Sequence, residues 1–532
     1  MSSFLTPYTL LLPLALVVLI VLSHVLLFVI DPYGIRKHPG PVIARYSHIW
    51  LAVISQRGHR SEVIHAMHKR YGPFLRISPT EVSIADPEAL AIIYAHGSGA
   101  LKSDFYGPFV NITRGVMNTR DRKQHTRKRK IVSHIFSQRN VLEFEPHIRT
   151  YVRQLMGQWD RLCDAALKGL AGEDGEGWFG RGGRLWLDAL PWLNYLAFDI
   201  IGDLAFGAPF GMVAAAKDIA PVPADPSALS DVAFTNPDVI HIPGVAVLNG
   251  RGEYSMCMGV LPAWWRPLAV RIPWFSARLQ NVRQLAGISI VAVAKRLEVQ
   301  TDRVDLLSRL IAGRDDEGKP MGRSEITAEA LTFLVAGSDT TSNSTCAVLY
   351  YLAANPKVQA RLQAELDEHI GTGEEVIATS EQVKHLVYLD ACINEALRLH
   401  STSSLGLPRV VPEEGLTVCG HFFPAGCVLS VPSYTIHRDS DVWGTDPEVY
   451  RPERWFEQDK VGGMQRTFNP YSVGPRACVG RNLAALELSI IIASLMRSFD
   501  FVLESPGEPL ETREGFLRKP VRCRVGIERR AV

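Results

Sequence analysis

Apolar and polar positions divide the chain into one short segment and one long one. From Tyr8 to Ile30, YTLLLPLALVVLIVLSHVLLFVI, no residue carries a formal charge. About 20 apolar residues rising 1.5 Å each cross a bilayer as a helix, so residues 1–30 are predicted to be an N-terminal membrane anchor. A cleaved signal peptide has a shorter apolar core and a small-residue cleavage site; here DPYGIRKHPGP follows instead. Pro13 is tolerated in membrane helices, and His24 lies near one end of the run. No Lys or Arg precedes the segment, whereas Arg36 and Lys37 follow it. That asymmetry places the remainder of the chain in the cytosol. Residues 31–41 read as a stiff Pro/Gly linker, and 42–532 as one folded body.

Within that body the 3.6-residue period dominates. Ile326 to Pro356, ITAEALTFLVAGSDTTSNSTCAVLYYLAANP, is apolar over much of its length and stops at Asn-Pro. PKVQARLQAELDEHI is amphipathic, and YLDACINEALRLH and RNLAALELSIIIASLMRSF read as further helices. Strand-like runs are short: FLRISP, EVSIAD, LTVCG and VLSVPSY. The predicted fold class is mainly α with small peripheral β-sheets (α+β), preceded by one N-terminal transmembrane helix. Ala171–Arg184 reads as a glycine-rich surface loop and Ala216–Leu229 as a second irregular stretch.

Composition changes this picture little. With 532 residues the chain can bury a large core, and its net charge of +2, without a basic stripe or tail, suggests no nucleic-acid partner. The eight cysteines form no CxxC pair and no regular framework, which reads as a reduced chain.

One cysteine is framed differently. In YSVGPRACVG, Cys478 follows a Gly474-Pro475 turn and precedes Gly480 and a long apolar helix. A metal thiolate needs donors near sulfur, a tight turn to aim it, and preferably a helix N-terminus behind it. Gly480 permits close backbone approach. Zinc would require three or four ligands, and no Cys/His cluster lies nearby. Haem iron accepts a single cysteine thiolate. The alternative is a buried thiol at a helix start.

YSVGPRACVG resembles the haem-ligand signature of the cytochrome P-450 family, with Tyr471 where the family usually has Phe. The resemblance implies the cytochrome P-450 fold for 42–532, with Cys478 as axial ligand and Arg476 as a propionate partner. Three further motifs follow the family order. EALR supplies Glu395 and Arg398, and PERW supplies Arg454; in the family these form a Glu-Arg-Arg network behind the haem. AGSDTT implies an oxygen groove, with Asp339 and Thr340 delivering protons. HTRKR, with His125 and Arg129 one turn apart, resembles the propionate-binding helix, and Arg409 in GLPR stands at the interval of another propionate contact. His437 in HRD reads as structural.

KSDFY, NTRDR, NYLAFDIIGDLAFGAPFGM, HSTS, VPSYTIHR and TREGFLRKP extend the resemblance to the benzoate-hydroxylating branch of that family. Val213–Ser276 carries the least of it. What this implies is a haem-thiolate monooxygenase acting on a small aromatic substrate with O2, benzoate to 4-hydroxybenzoate. Electrons would come from NADPH through a separate NADPH–cytochrome P-450 reductase. The location implied is the endoplasmic reticulum membrane, with lipid around the anchor. The alternatives are a monooxygenase of another aromatic or polyketide-like substrate, and a haem-thiolate isomerase, dehydratase or haem-binding protein. Candidate substrate contacts are Asn111, Thr113 and Arg114 in FYGPFVNITRGVMN, the segment TSSLGLP, and Phe516 and Leu517 in EGFL.

Overall fold

The computed structural model describes residues 8–173, 176–233, 238–299, 303–370 and 375–530. Ten helices of 13 residues or more are found among them: α1 (Tyr8–Ile30), α2 (Arg122–Ile135), α3 (Glu145–Leu167), α4 (Ala189–Phe206), α5 (Gly244–Val260), α6 (Pro273–Glu298), α7 (Arg323–Ala354), α8 (Pro356–Ile370), α9 (Val387–Leu399) and α10 (Arg481–Ser498). The main core lies where α3, α4, α6, α7, α9 and α10 bury their apolar faces on one another. α7, at 32 residues, runs through its centre. It stops where the sequence indicates: Asn355 leaves helical geometry (φ −126°, ψ 76°), because the residue before a proline is pushed out of the α region.

α1 is helical over 23 residues, or about 35 Å at 1.5 Å per residue. Residues 1–7 of the expected anchor lie outside the described residues, as do the side chains of Pro13 and His24. Among the described residues, no helix is long and apolar enough to cross a membrane. The end of α1 rests on the body: the Phe28 and Tyr46 rings are 4.7 Å apart, and the Arg76 guanidinium lies 5.6 Å from the Phe28 ring.

The sheets are small and lie beside the helical core. One has five strands in the order Phe74–Arg76, Glu81–Ile84, Val428–Ser430, Arg409–Val410, Leu101–Lys102. Its last pair sets Lys102 directly opposite Arg409. A four-stranded antiparallel sheet runs Phe499–Leu503, Arg524–Arg529, Arg184–Asp188, Phe179–Arg181. The last two strands correct the reading of Ala171–Arg184 as a loop. Gly182 and Gly183 both adopt positive φ (61° and 75°) and close a two-residue hairpin with Arg181 paired to Arg184, the turn that matches strand twist. Ala216–Leu229 is also more regular than expected, since Ala220–Pro223 pairs with Val239–Ile242. Near the C-terminus a hairpin, Thr512–Glu514 with Arg518–Pro520, carries Phe516 and Leu517 at its tip.

Candidate active site

Cys478 sits between a single 3-10 turn, Gly474–Arg476, and the start of α10. The turn requires glycine: at Gly474 φ is +72°, and a Cβ would lie 2.0 Å from the Tyr94 carbonyl oxygen. The Cys478 amide donates to the Tyr471 carbonyl at 2.7 Å, and Arg129 Nη1 donates to the Ala477 carbonyl at 2.7 Å. Burial pushes the Cys478 thiol up; the Gly480 amide N–H on its sulfur, Arg129 and Arg481 pull it back. These are groups that hold a negative sulfur. Cys478 is nevertheless the one exposed thiol among the eight, because its side chain opens onto cavities. The space above Gly480 is clear, with nothing within 4 Å of a built Cβ.

Three adjoining cavities share Met117 and Thr340 as lining residues. Two of them, of about 200 and 230 Å³, are bordered by Cys478. The third, of about 120 Å³, lies on the other side of Thr340 and Ala336, among Phe109, Leu331, Val335, Phe516 and Leu517. Positive charge gathers at the first two, where Lys102, Arg129, Arg409 and Arg476 all face His125 and hold its imidazole down, to a pKa of about 3, after burial itself. Arg409 Nη1 donates to the Tyr106 hydroxyl at 3.1 Å, and Arg476 Nη1 to the Thr119 carbonyl at 2.6 Å. Burial, then Arg409, holds the Arg476 guanidinium down to about 10. Lys102 Nζ donates to the Met117 carbonyl, and burial followed by Arg409 and Arg476 drives its pKa well down. None of the four cations has a carboxylate partner within 4 Å among the described residues.

Like charges directly opposite in a sheet repel, and desolvated cations are costly without anions. A flat group with two carboxylates fits that cluster, and the Cys478 sulfur and open Gly480 face fit its metal. These residues therefore suit haem. Lys102 is the member that sequence reasoning missed. It stands in a two-residue strand, too short to show a pattern.

α7 supplies the wall between the cavities. Ala336 is exposed and Gly337 and Thr340 are half-buried, although neighbouring residues on the helix are buried. The helix continues through this stretch. Thr340 donates its hydroxyl to the Ala336 carbonyl at 2.5 Å. Gly337 has a packing reason as well: a Cβ there would lie 2.7 Å from Ile201 of α4. Asp339 is held by Lys519 of the C-terminal hairpin at 2.6 Å and by Asn343, which donates to its Oδ1 at 3.3 Å. On the thiol side, Thr341 donates to Glu487 at 2.8 Å, and burial lifts that carboxyl to about 7.

Glu395, Arg398 and Arg454 are brought together with no solvent exposure: Arg398 reaches Glu395 at 2.8 Å and Arg454 reaches it at 2.7 Å. The remaining guanidinium protons meet carbonyls of Trp443, Pro447 and Val449 and, from Arg454, the Asp446 carboxylate at 3.2 Å. His437 completes the cluster. Its Nε2 accepts from the Asn469 amide at 2.9 Å, so its Nδ1 donates to the Arg398 carbonyl at 3.1 Å.

Of the candidate substrate contacts, Asn111, Thr113, Phe516 and Leu517 line the 120 Å³ cavity. From TSSLGLP, Thr402, Ser403 and Leu407 line the 230 Å³ one. Arg114 does not belong with them: it is exposed, and its Nη1 donates to the Asn118 carbonyl at 3.0 Å, which turns it toward the outer cleft.

Comparison with known proteins fits this geometry. The family model described as cytochrome P-450 matches residues 38–246 and 259–527. The benzoate 4-monooxygenase of Aspergillus niger is 45% identical over 542 aligned residues, covering 100% of this chain and 99% of its own. A cytochrome P-450 monooxygenase of Penicillium crustosum is 31% identical, over 94% of this chain and 92% of its own. Pisatin demethylase of Fusarium vanettenii is 29% identical over 88% of this chain and 85% of its own. The thiol loop, the buried Glu-Arg-Arg cluster and a match over nearly the whole body converge: this chain belongs to the cytochrome P-450 family.

Proposed function

We propose that this cytochrome P-450 monooxygenase hydroxylates benzoate at its para carbon, giving 4-hydroxybenzoate. The observation that carries the reading is the 45% identity over both full lengths to a benzoate 4-monooxygenase. Cys478 would hold the haem iron through its thiolate, and Lys102, His125, Arg129, Arg409 and Arg476 would hold its propionates. The haem, when bound, supplies oxygen activation. The chain's own part is to hold the thiolate, exclude water and move protons. The Gly480 amide and the cations near the loop stabilise the sulfur's charge. Thr340 lines all three cavities, and its hydroxyl would hand on a proton. Asp339, held by Lys519 at rest, would relay to it a proton that its carboxylate first takes up from solvent. Positioned proton donors of this kind contribute roughly 10²–10⁴-fold to rate.

Electrons come from NADPH through NADPH–cytochrome P-450 reductase at the endoplasmic reticulum, where α1 anchors the protein with its body in the cytosol. The uncharged composition of α1 supports this reading, as does the cluster of exposed apolar residues just after it: Val42, Ile43, Ile49 and Val53.

The test is turnover of the full chain with reductase and NADPH, with 4-hydroxybenzoate measured against NADPH consumed. Cys478→Ser is expected to lose both turnover and the thiolate Soret band of the reduced carbon-monoxide complex, whereas Cys427→Ser keeps both. NADPH consumption that benzoate does not stimulate would reject the substrate and leave the haem-thiolate assignment to the spectrum.

A further inference from the structure

Among the described residues, the 120 Å³ cavity is lined by one charged side chain, and it comes from the part of the sequence where the family resemblance is thinnest. Arg251 of α5 is 6% exposed and lines this cavity together with Phe109, Phe516 and Thr340. Its Nη2 donates to the Phe109 carbonyl at 3.3 Å, and its guanidinium lies 5.2 Å from the Phe109 ring centre. Its Nε has no hydrogen-bond partner among the described residues. No carboxylate lies within the 4 Å of an ion pair among them either. The acid whose field it feels, Asp339, is already paired to Lys519.

An arginine in this setting lacks a counter-charge. A buried guanidinium retains its charge and is costly unless paired, and its planar fork matches one chemical group best, a carboxylate taken by two parallel N–H bonds. The rest of the cavity is mainly apolar and small. An engineered apolar cavity of about 150 Å³ holds a benzene ring, so a space of this size takes a single ring.

We infer that Arg251 is the carboxylate anchor for the substrate and that its position sets para attack. The inference rests on the benzoate reading above. With the carboxylate on Arg251, the ring carbon farthest from it is the para carbon. Ala336 and Thr340 of α7 also line this cavity and border the cavity at Cys478. The anchor thus holds the acid end away from the reacting end. Arg114, the cation that the sequence singles out, stands outside this cavity.

The experiment is a titration of the full, haem-loaded enzyme with benzoate and with methyl benzoate, followed by the ligand-induced shift of the haem spectrum. Wild type is expected to bind benzoate more tightly than the ester. Arg251→Gln should weaken benzoate roughly ten- to a hundredfold, the loss of one or two charge-assisted hydrogen bonds, and leave the ester unchanged. Arg251→Lys, which keeps the charge but not the fork, should fall between. Equal weakening of acid and ester would show a structural role and overturn the anchor. So would an Arg251→Gln enzyme that still prefers benzoate as wild type does. Should Arg251→Gln fail to load haem, the acid-to-ester ratio in Arg251→Lys decides by the same criterion. A wild type that binds the ester as well as benzoate would instead overturn the substrate reading, and the anchor with it.

Discussion

Residue by residue, the site is controlled by buried charges and how each is matched. Asp339 is matched by Lys519, so the proton delivery proposed for it would be joined to the position of the hairpin. Thr340→Ala and Asp339→Asn are expected to keep ligand binding but uncouple the reaction, with NADPH spent and hydrogen peroxide released; unchanged product per NADPH in both would reject their role. Among the described residues, Glu487 has only the Thr341 hydroxyl as a hydrogen-bond partner. Its folded pKa is raised from 4.5 to about 7, with burial as the leading cause. Folding therefore favours the protonated acid: nothing is lost below about pH 4.5, and stability falls as pH rises from there through about 7. Glu487→Gln still accepts from Thr341 and should stabilise the fold above about pH 7 by up to about 3 kcal/mol, at about 1.36 kcal/mol per pKa unit. The gain should vanish near about pH 4. Urea-unfolding midpoints across this range check it, and parallel curves for the two proteins would refute it.

Among the helices and strands, the sequence was most readable where one element carries its own signal. α7 announces itself by apolar length and an Asn-Pro stop, and the Cys478 loop by a glycine whose positive φ disfavours every other residue. The Glu395–Arg398 pair is legible because both members share one helix face. Lys102, Arg251 and Lys519 were not legible, because each becomes functional only through a neighbour far along the chain. Lys102 meets Arg409 across a sheet, Arg251 meets a cavity wall from α7, and Lys519 meets Asp339. Gly337 shows the same limit. Its place in AGSDTT suggests an oxygen groove, yet its missing side chain also admits Ile201 of α4. Gly337→Ala should gain about 1 kcal/mol of helix propensity and lose about 1–3 kcal/mol to overpacking. In a double-mutant cycle, Ile201→Ala should cost less in the Gly337→Ala background than in the wild type; additive costs would mean that the two helices separate freely.

Taken over the full body, two charge clusters behave oppositely. Glu395, Arg398 and Arg454 form a closed set: every charge has its partner within the chain and none reaches solvent. Glu395→Gln should leave the buried Arg398 guanidinium uncompensated and Arg454 with Asp446 as its remaining carboxylate partner, at a cost of about 3–5 kcal/mol, read as lost stability and low haem content. Full haem content with an unchanged melting midpoint would contradict this. The cluster of Lys102, Arg129, Arg409 and Arg476 is left open by the chain itself, and its consequence concerns the order of assembly. Four like charges drawn into one pocket oppose the closing of the polypeptide around them, so the last part of the body to settle should be the part awaiting its dianion. Prosthetic-group capture then becomes a folding step as well as a binding one. A porphyrin whose two propionates are esterified should fill the same space, yet fail to bring that step to completion.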